Sequence, residues 1–180
     1  MNVYINLQFC FSSIMSNVAR ELLKRQMIEL QRDDNSGFSV GLEDDSDWFT
    51  WRVCFEGPPD TMYQGGLFTA VLKFPSDFPN SPPDMRFETE MYHPNIYEDG
   101  RVCISILHPP GTDRFNEQET AEERWRPVLG VESILVSVLS MLADPNLSSP
   151  ANIDAGVMMK NDPEGYKKKV RGLVRKSVEG

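Results

Sequence analysis

Apolar residues recur at helical spacing over Ser16–Gln31, where Val18, Leu22, Leu23, Met27 and Leu30 form a stripe. Arg20, Lys24, Arg25 and Arg32 lie mostly on other faces, and Ser16 reads as an N-cap. Asp33–Gly37 breaks this helix. Four short stretches then switch to aromatic and β-branched residues bounded by turn residues: Phe38–Leu42, Trp48–Glu56, Gly66–Phe74 and Asp84–Glu88. Their connections are short, so the economical topology is an antiparallel meander. Gly57-Pro58-Pro59-Asp60 reads as a turn. Phe78-Pro79-Asn80-Ser81-Pro82-Pro83 is too rich in proline for a helix or a central strand. Glu90–Glu123 shows no strong period, and a loop of that length inside a domain tends to be functional or disordered. Gly130–Ala143 is apolar on most sides and predicts a buried helix, ended by Asp144-Pro145-Asn146. Ala151–Lys160 and Pro163–Val178 predict two more helices, the last one basic.

That segregated order, helix, four-stranded sheet, long loop, buried helix and two terminal helices, predicts the α+β class. A chain of 180 residues suits one domain with a real core. Residues 1–15 read as an extension, disordered or loosely docked. They are apolar, without Lys or Arg and without a clear cleavage site, so they make a poor signal peptide. No apolar run approaches the roughly 18 residues of a membrane span.

The net charge of −9 argues against a general nucleic-acid binder. Acids gather at Glu43–Asp47 and Asp113–Glu123, and bases at Lys167–Lys176 and around Arg20–Arg32. This layout suits different partners on different faces. The three cysteines, Cys10, Cys54 and Cys103, are odd in number and lack C-x-x-C or Cys/His clustering, so neither a disulfide scaffold nor a metal site is expected.

Cys103, in the irregular region, is the first candidate for chemistry, because a thiolate is a strong nucleophile and a good thioester former. Taken alone, a lone cysteine is more often a small buried hydrophobe. Cys54 sits among apolar strand neighbours and reads as packing. His93 and His108 both lie within ten residues of Cys103, but a Cys–His protease also needs an orienting Asn or Asp and a cleft. His93, before a proline, reads more naturally as a rigid turn element bonded to backbone. The Asn95 amide is either a turn residue or a donor to a developing oxyanion.

His93-Pro94-Asn95 followed eight positions later by Cys103 resembles the active-site signature of the ubiquitin-conjugating enzymes. Tyr63-Gln64-Gly65-Gly66, Phe74–Pro83, Trp125-Arg126-Pro127 and Asp144-Pro145-Asn146 follow in family order, so the resemblance covers residues 16–178 as one catalytic domain. The stretch 108–123 resembles the acidic insertion of the Cdc34-like and Ubc-seven-like subgroup, which Val102–Pro110 and Ser149-Pro150-Ala151-Asn152 also fit. Conjugation of another ubiquitin-like modifier and a non-catalytic ubiquitin-binding variant are the alternatives; the presence of Cys103 argues against the second.

The resemblance implies a ubiquitin-conjugating-enzyme fold with a cis bond at Phe78–Pro79. It implies that Cys103 accepts ubiquitin from the activating enzyme as a thioester and passes it to a lysine of a substrate or of another ubiquitin. Polyubiquitin chains for degradation follow, usually with a ubiquitin ligase of RING type. Asn95 is the implied oxyanion stabiliser and Tyr97 lines the acceptor site. ATP is used upstream, so the chain itself needs no cofactor. The expected location is cytoplasmic, extending to the nucleus or the cytosolic face of the endoplasmic reticulum, without membrane insertion. Where many members carry an Asp that orients the lysine, this chain has Ser149, which puts the proton acceptor in question. His108 and the acids Asp113, Glu117 and Glu119 are substitutes, unless the acids only keep the loop solvated. Carboxylates raise a neighbouring cation's pKa, so the acids are expected to recruit the lysine, not deprotonate it. Ligase docking is implied for Arg20, Lys24, Asn80, Pro127 and Val128.

Overall fold

The computed structural model describes residues 2–32, 36–112 and 119–179, with side chains from Met15 onward. Helix α1 spans Asn2–Leu30, strands β1 to β4 span Phe38–Leu42, Thr50–Glu56, Leu67–Lys73 and Asp84–Phe87, and helices α2 to α4 span Val131–Ala143, Ile153–Asn161 and Pro163–Glu179. The four strands form one antiparallel sheet in the order β1-β2-β3-β4, the meander expected from the short connections.

Two expectations need correction. The first helix starts at Asn2, so Ser16 lies inside it and is not its N-cap. No Gly or Pro interrupts Met1–Leu30, so nothing in the backbone stops the helix at residue 15 and the extension continues it. Strand β2 begins at Thr50, not Trp48: Phe49 N–H donates to Asp47 Oδ1 at 2.9 Å, and Trp51 Nε1 donates to Trp48 O at 2.9 Å, closing a turn over those residues.

Register decides what is buried. Trp51 faces Leu72, Val53 faces Ala70 and Phe55 faces Phe68 across β2 and β3, and all six are buried. They join Ala19, Leu23 and Met27 of α1 and Ile134, Leu135 and Val138 of α2 in one contiguous core. The other face of β2 carries Arg52, bonded to Glu43 at 2.6 and 2.7 Å and to Glu88 at 2.7 Å. Exposed pairs of this kind are screened by solvent and contribute little, whereas each large buried side chain contributes about 1.5–3 kcal/mol, so the apolar face holds the sheet.

The proline-rich stretch turns through a cis Phe78–Pro79 bond, as expected. Trp125, fully buried, donates its indole N–H to Pro79 O at 2.7 Å and so ties this turn to the loop that enters α2. Asn152 caps α3 by accepting from Ala155 N–H at 3.0 Å, a bond worth about 1 kcal/mol.

Candidate active site

The eight-residue spacing between Asn95 and Cys103 is the spacing of a small hairpin. Ile96 pairs with Val102 as an antiparallel bridge, Tyr97 N–H donates to Arg101 O at 2.9 Å, and Cys103 N–H donates to Asn95 O at 3.0 Å. Asn95 therefore stands opposite Cys103. Positions alternate in facing, so Ile96 and Val102 turn into the core while Tyr97, Arg101 and Cys103 share the other face. The turn needs Gly100, whose φ is +89° and whose Cβ, if it had one, would lie 2.2 Å from Phe87 O.

The segment leading into Asn95 is fixed at four successive points. Tyr92 O accepts from Tyr63 OH at 2.8 Å and from Tyr166 OH at 3.0 Å. His93 Nδ1 accepts from Asn95 N–H at 2.9 Å, which leaves the proton on Nε2, 3.0 Å from Met141 O. Pro94 O accepts from Asn152 N–H at 2.9 Å. The Asn95 side chain, 3% exposed, donates from Nδ2 to Asn146 O at 2.9 Å and accepts from Asn146 N–H at 2.8 Å. His93 is thus the rigid turn element expected and no base for Cys103. Tyr63, Tyr166, Asn146 and Asn152 were not singled out from sequence for this site. Tyr63, Asn146 and Asn152 lie in stretches that carry the family resemblance, and Asn152 could also have been read as a cap before a helix; Tyr166 carried no signal.

Burial pushes the His93 imidazole from 6.5 down to about 4. Below pH 6.5 the unfolded chain takes up this proton and the folded chain does not until about pH 4, so stability falls as pH falls across that window. The interval corresponds to about 3 kcal/mol at about 1.4 kcal/mol per tenfold. Urea unfolding at pH 7 and pH 4 should show this loss in the wild type and lack that step in His93→Gln; identical pH profiles would contradict it.

Around the Cys103 sulfur, the structure brings together two predicted residues. Tyr97 OH lies 4.0 Å from Sγ, and Arg101 lies 4.8 Å over the Tyr97 ring. Cys103 beside it raises the Tyr97 phenol above its ordinary value. On the other side His108 Nε2 stands 3.9 Å from Sγ, and His108 Nδ1 is 2.7 Å from Glu119 Oε1. Glu119 Oε2 contacts Arg124 Nε at 3.5 Å, and Trp125 N–H donates to His108 O at 3.1 Å. The bond to His108 lowers the Cys103 thiol against the opposing effect of burial. A cleft of about 810 Å³ opens beside the sulfur, lined by Lys73, Asp84, Arg86 and Arg101 among others.

Other candidates fall differently. Glu119, only 5% exposed, is turned inward to His108 and Arg124. Asp113 and Glu117 lie outside the described residues. Ser149 sits in an exposed bend between α2 and α3. Pro127 and Val128, the latter 83% exposed, border a cleft against α1 at Leu22, Arg25 and Gln26. Gln26 Oε1 fixes this arrangement by accepting from Val131 N–H at 2.7 Å. Asn80 is exposed next to Pro79, which Trp125 joins to the same loop. Lys24 does not line this cleft; it pairs with Glu21 at 2.6 Å and sits 5.5 Å over the Trp48 ring. Arg20 is exposed on α1. Among the described residues, no helix is long and apolar enough to cross a membrane.

A family profile described as ubiquitin-conjugating enzyme matches residues 21–174, and the chain belongs to that family, whose members are transferases working through a thioester intermediate. Among relatives, it is 52% identical to ubiquitin-conjugating enzyme E2 15 of Schizosaccharomyces pombe over 91% of this chain and 98% of that protein. It is 53% identical to the probable ubiquitin-conjugating enzyme E2 7 of Caenorhabditis elegans over 88% and 96%, respectively. It is 51% identical to ubiquitin-conjugating enzyme E2 7 of Arabidopsis thaliana over 92% and 99%. Membership implies ubiquitin, an activating enzyme and a ligase as partners.

Proposed function

We propose that Cys103 carries the ubiquitin acyl group and that a lysine amine of a substrate, or of another ubiquitin, takes it from there, giving polyubiquitin chains for degradation. The observation that supports this reading most is the half-buried Cys103 thiol, opposite Asn95 and flanked by Tyr97 and His108 at the mouth of a cleft. Both the charging and the transfer step pass through a tetrahedral oxyanion. The Asn95 amide has two N–H groups and uses one on Asn146, so the other is free to stabilise that oxyanion. Tyr97 borders the path of the incoming amine. Asp113 and Glu117 recruit the acceptor. Ligases of the RING type dock on the surface where Pro127 and Val128 border the α1 cleft, with Asn80, Arg20 and Lys24 outside its lining. ATP is spent by the activating enzyme, and the protein acts in the cytoplasm, the nucleus or at the cytosolic face of the endoplasmic reticulum.

An attacking lysine with an ordinary pKa of about 10.4 is almost wholly protonated at neutral pH, so a base must take its proton as the C–N bond forms. Ser149 is no carboxylate. His108 fits: Glu119 fixes the proton on Nδ1 and turns the Nε2 lone pair toward the sulfur. Preformed thioester chased with free lysine should discharge about 100-fold more slowly in His108→Gln at pH 7, with the gap narrowing toward pH 9. An equal rate at pH 7 would remove His108 as the base. Failure of the wild type to discharge to lysine would overturn the transfer reading.

A further inference from the structure

Helix α4 carries six bases against two acids, in a chain whose net charge is −9. Its buried row, Tyr166, Val170 and Val174, recurs every fourth residue and packs into the core. The next row round the helix recurs at the same interval and consists of Lys167, Arg171 and Arg175, with Lys168 beside it. All four are exposed. At the helical rise per residue they make a straight strip about 12 Å long.

The fold uses the other cations of α4 and leaves most of this strip without a role. Lys169 sits 3.4 Å over the Tyr92 ring, and Lys176 pairs with Glu90 at 3.4 Å. Within the strip, Arg171 donates one N–H to Gln64 O at 2.7 Å. Among the described residues, Lys167, Lys168 and Arg175 have no hydrogen-bond or ion-pair partner. Cations four apart on one helix face repel, which weakens the helix. The helix dipole favours cations in the last turn, which accounts for Lys176 and for none of the strip. Glu164 and Glu179 stand at the two ends, and the Asp162 carboxylate accepts from Gly165 N–H at 2.9 Å. Neither packing nor the helix terminus accounts for this row.

We propose that Lys167, Lys168, Arg171 and Arg175 form an adsorption surface for a lipid bilayer that carries anionic headgroups. A row of cations on a convex face is complementary to a plane of phosphates and carboxylates, and each Lys or Arg beside such a plane strengthens binding about fivefold. Salt screens charges beyond about 8 Å, so the bilayer meets the local charge of the strip and not the net −9. An acidic protein fits less well. Protein interfaces are depleted in lysine and close around apolar anchors, and of the large hydrophobics on α4 only Val178, near its end, is exposed. With the apolar row of α4 packed in the core, the helix lies against the bilayer and does not insert. Neither the Cys103 cleft nor the α1 cleft is lined by α4, so adsorption covers neither of them. The surface is independent of which residue carries ubiquitin.

The test uses the whole chain and needs no other protein. In sedimentation assays it should bind vesicles of phosphatidylcholine with phosphatidylserine and not vesicles of phosphatidylcholine alone, and rising salt should release it. Lys167→Gln, Lys168→Gln and Arg175→Gln together should weaken binding about 100-fold. Lys167→Arg, Lys168→Arg and Arg175→Lys together keep the charge and should keep the binding. Removing two exposed cations elsewhere, Arg32→Gln and Arg126→Gln, should change it far less. Matching circular dichroism ensures that folded variants are compared. No binding to the anionic vesicles, equal binding to the neutral ones, or undiminished binding by the glutamine variant overturns the proposal. So does capture of the chain by polyglutamate without capture by the anionic vesicles, which would give the strip to an acidic protein.

Discussion

Replacing Asn95 with alanine is expected to slow lysine discharge from the preformed thioester by a factor of about 100–1,000, with a smaller effect on charging. Loss of one oxyanion donor typically raises a barrier by about 2.7–4 kcal/mol. Thiol exchange demands less of the site than amine attack, because thiolates are good at both entering and leaving. The same substitution removes both bonds to the Asn146 backbone. Asn146 is an exposed residue, so water can reach its freed groups, and the stability cost stays near about 1 kcal/mol per bond. The kinetic loss therefore exceeds the thermodynamic one. Asn95→Asp separates the two roles: it keeps the acceptor for Asn146 N–H but has no N–H for an oxyanion. Its second oxygen would face Asn146 O in a buried position, so it should gain no stability over Asn95→Ala and be just as slow. Recovery of fast discharge in Asn95→Asp would make Asn95 a positioning residue, and unchanged discharge in Asn95→Ala would take it off the site altogether.

How legible the molecule was depended on how local its causes are. The four strands and α2 to α4 are written in periodicity and turn residues, and their bounds shift by only a residue or two. The start of α1 was not visible because residues 1–15 carry no amphipathic stripe; only the lack of a breaker hints at continuation. Strand β2 starts late because the Asp47 side chain captures Phe49 N–H, a choice that strand propensity at Trp48-Phe49 does not reveal.

Within the candidate site, a hairpin sets Asn95 opposite Cys103, so the signature spacing along the chain is also a spacing in space. The partnership of His108 with Glu119 was out of reach. Sequence offers the acids of the insertion as equivalent, and only the return of the chain, with Trp125 N–H on His108 O, selects Glu119 and buries it. The reading of Glu119 as a lysine recruiter and its position against His108 pull in different directions: a carboxylate already engaged and out of solvent is poorly placed to recruit. Neutralising Asp113 and Glu117 remains the way to probe acceptor recruitment, with Glu119 assayed on its own.

Ubiquitin charging turns on Cys103, and removing that side chain is expected to abolish it completely. Among the three cysteines, Cys54 is half-buried in β2 with its thiol raised by burial, and Cys10 lies in the first half of α1, far along the chain from the hairpin. Among the described side chains, Cys103 stands beside an imidazole and Cys54 does not. The decisive measurement is incubation with activating enzyme, ATP and ubiquitin, read on a gel with and without reductant. The wild type and a Cys10→Ser, Cys54→Ser variant should each form an adduct with one ubiquitin that reductant removes. Cys103→Ser should give at most a reductant-resistant ester, and Cys103→Ala none. Normal charging of Cys103→Ala, or loss of the adduct when only Cys10 and Cys54 are replaced, would contradict the account.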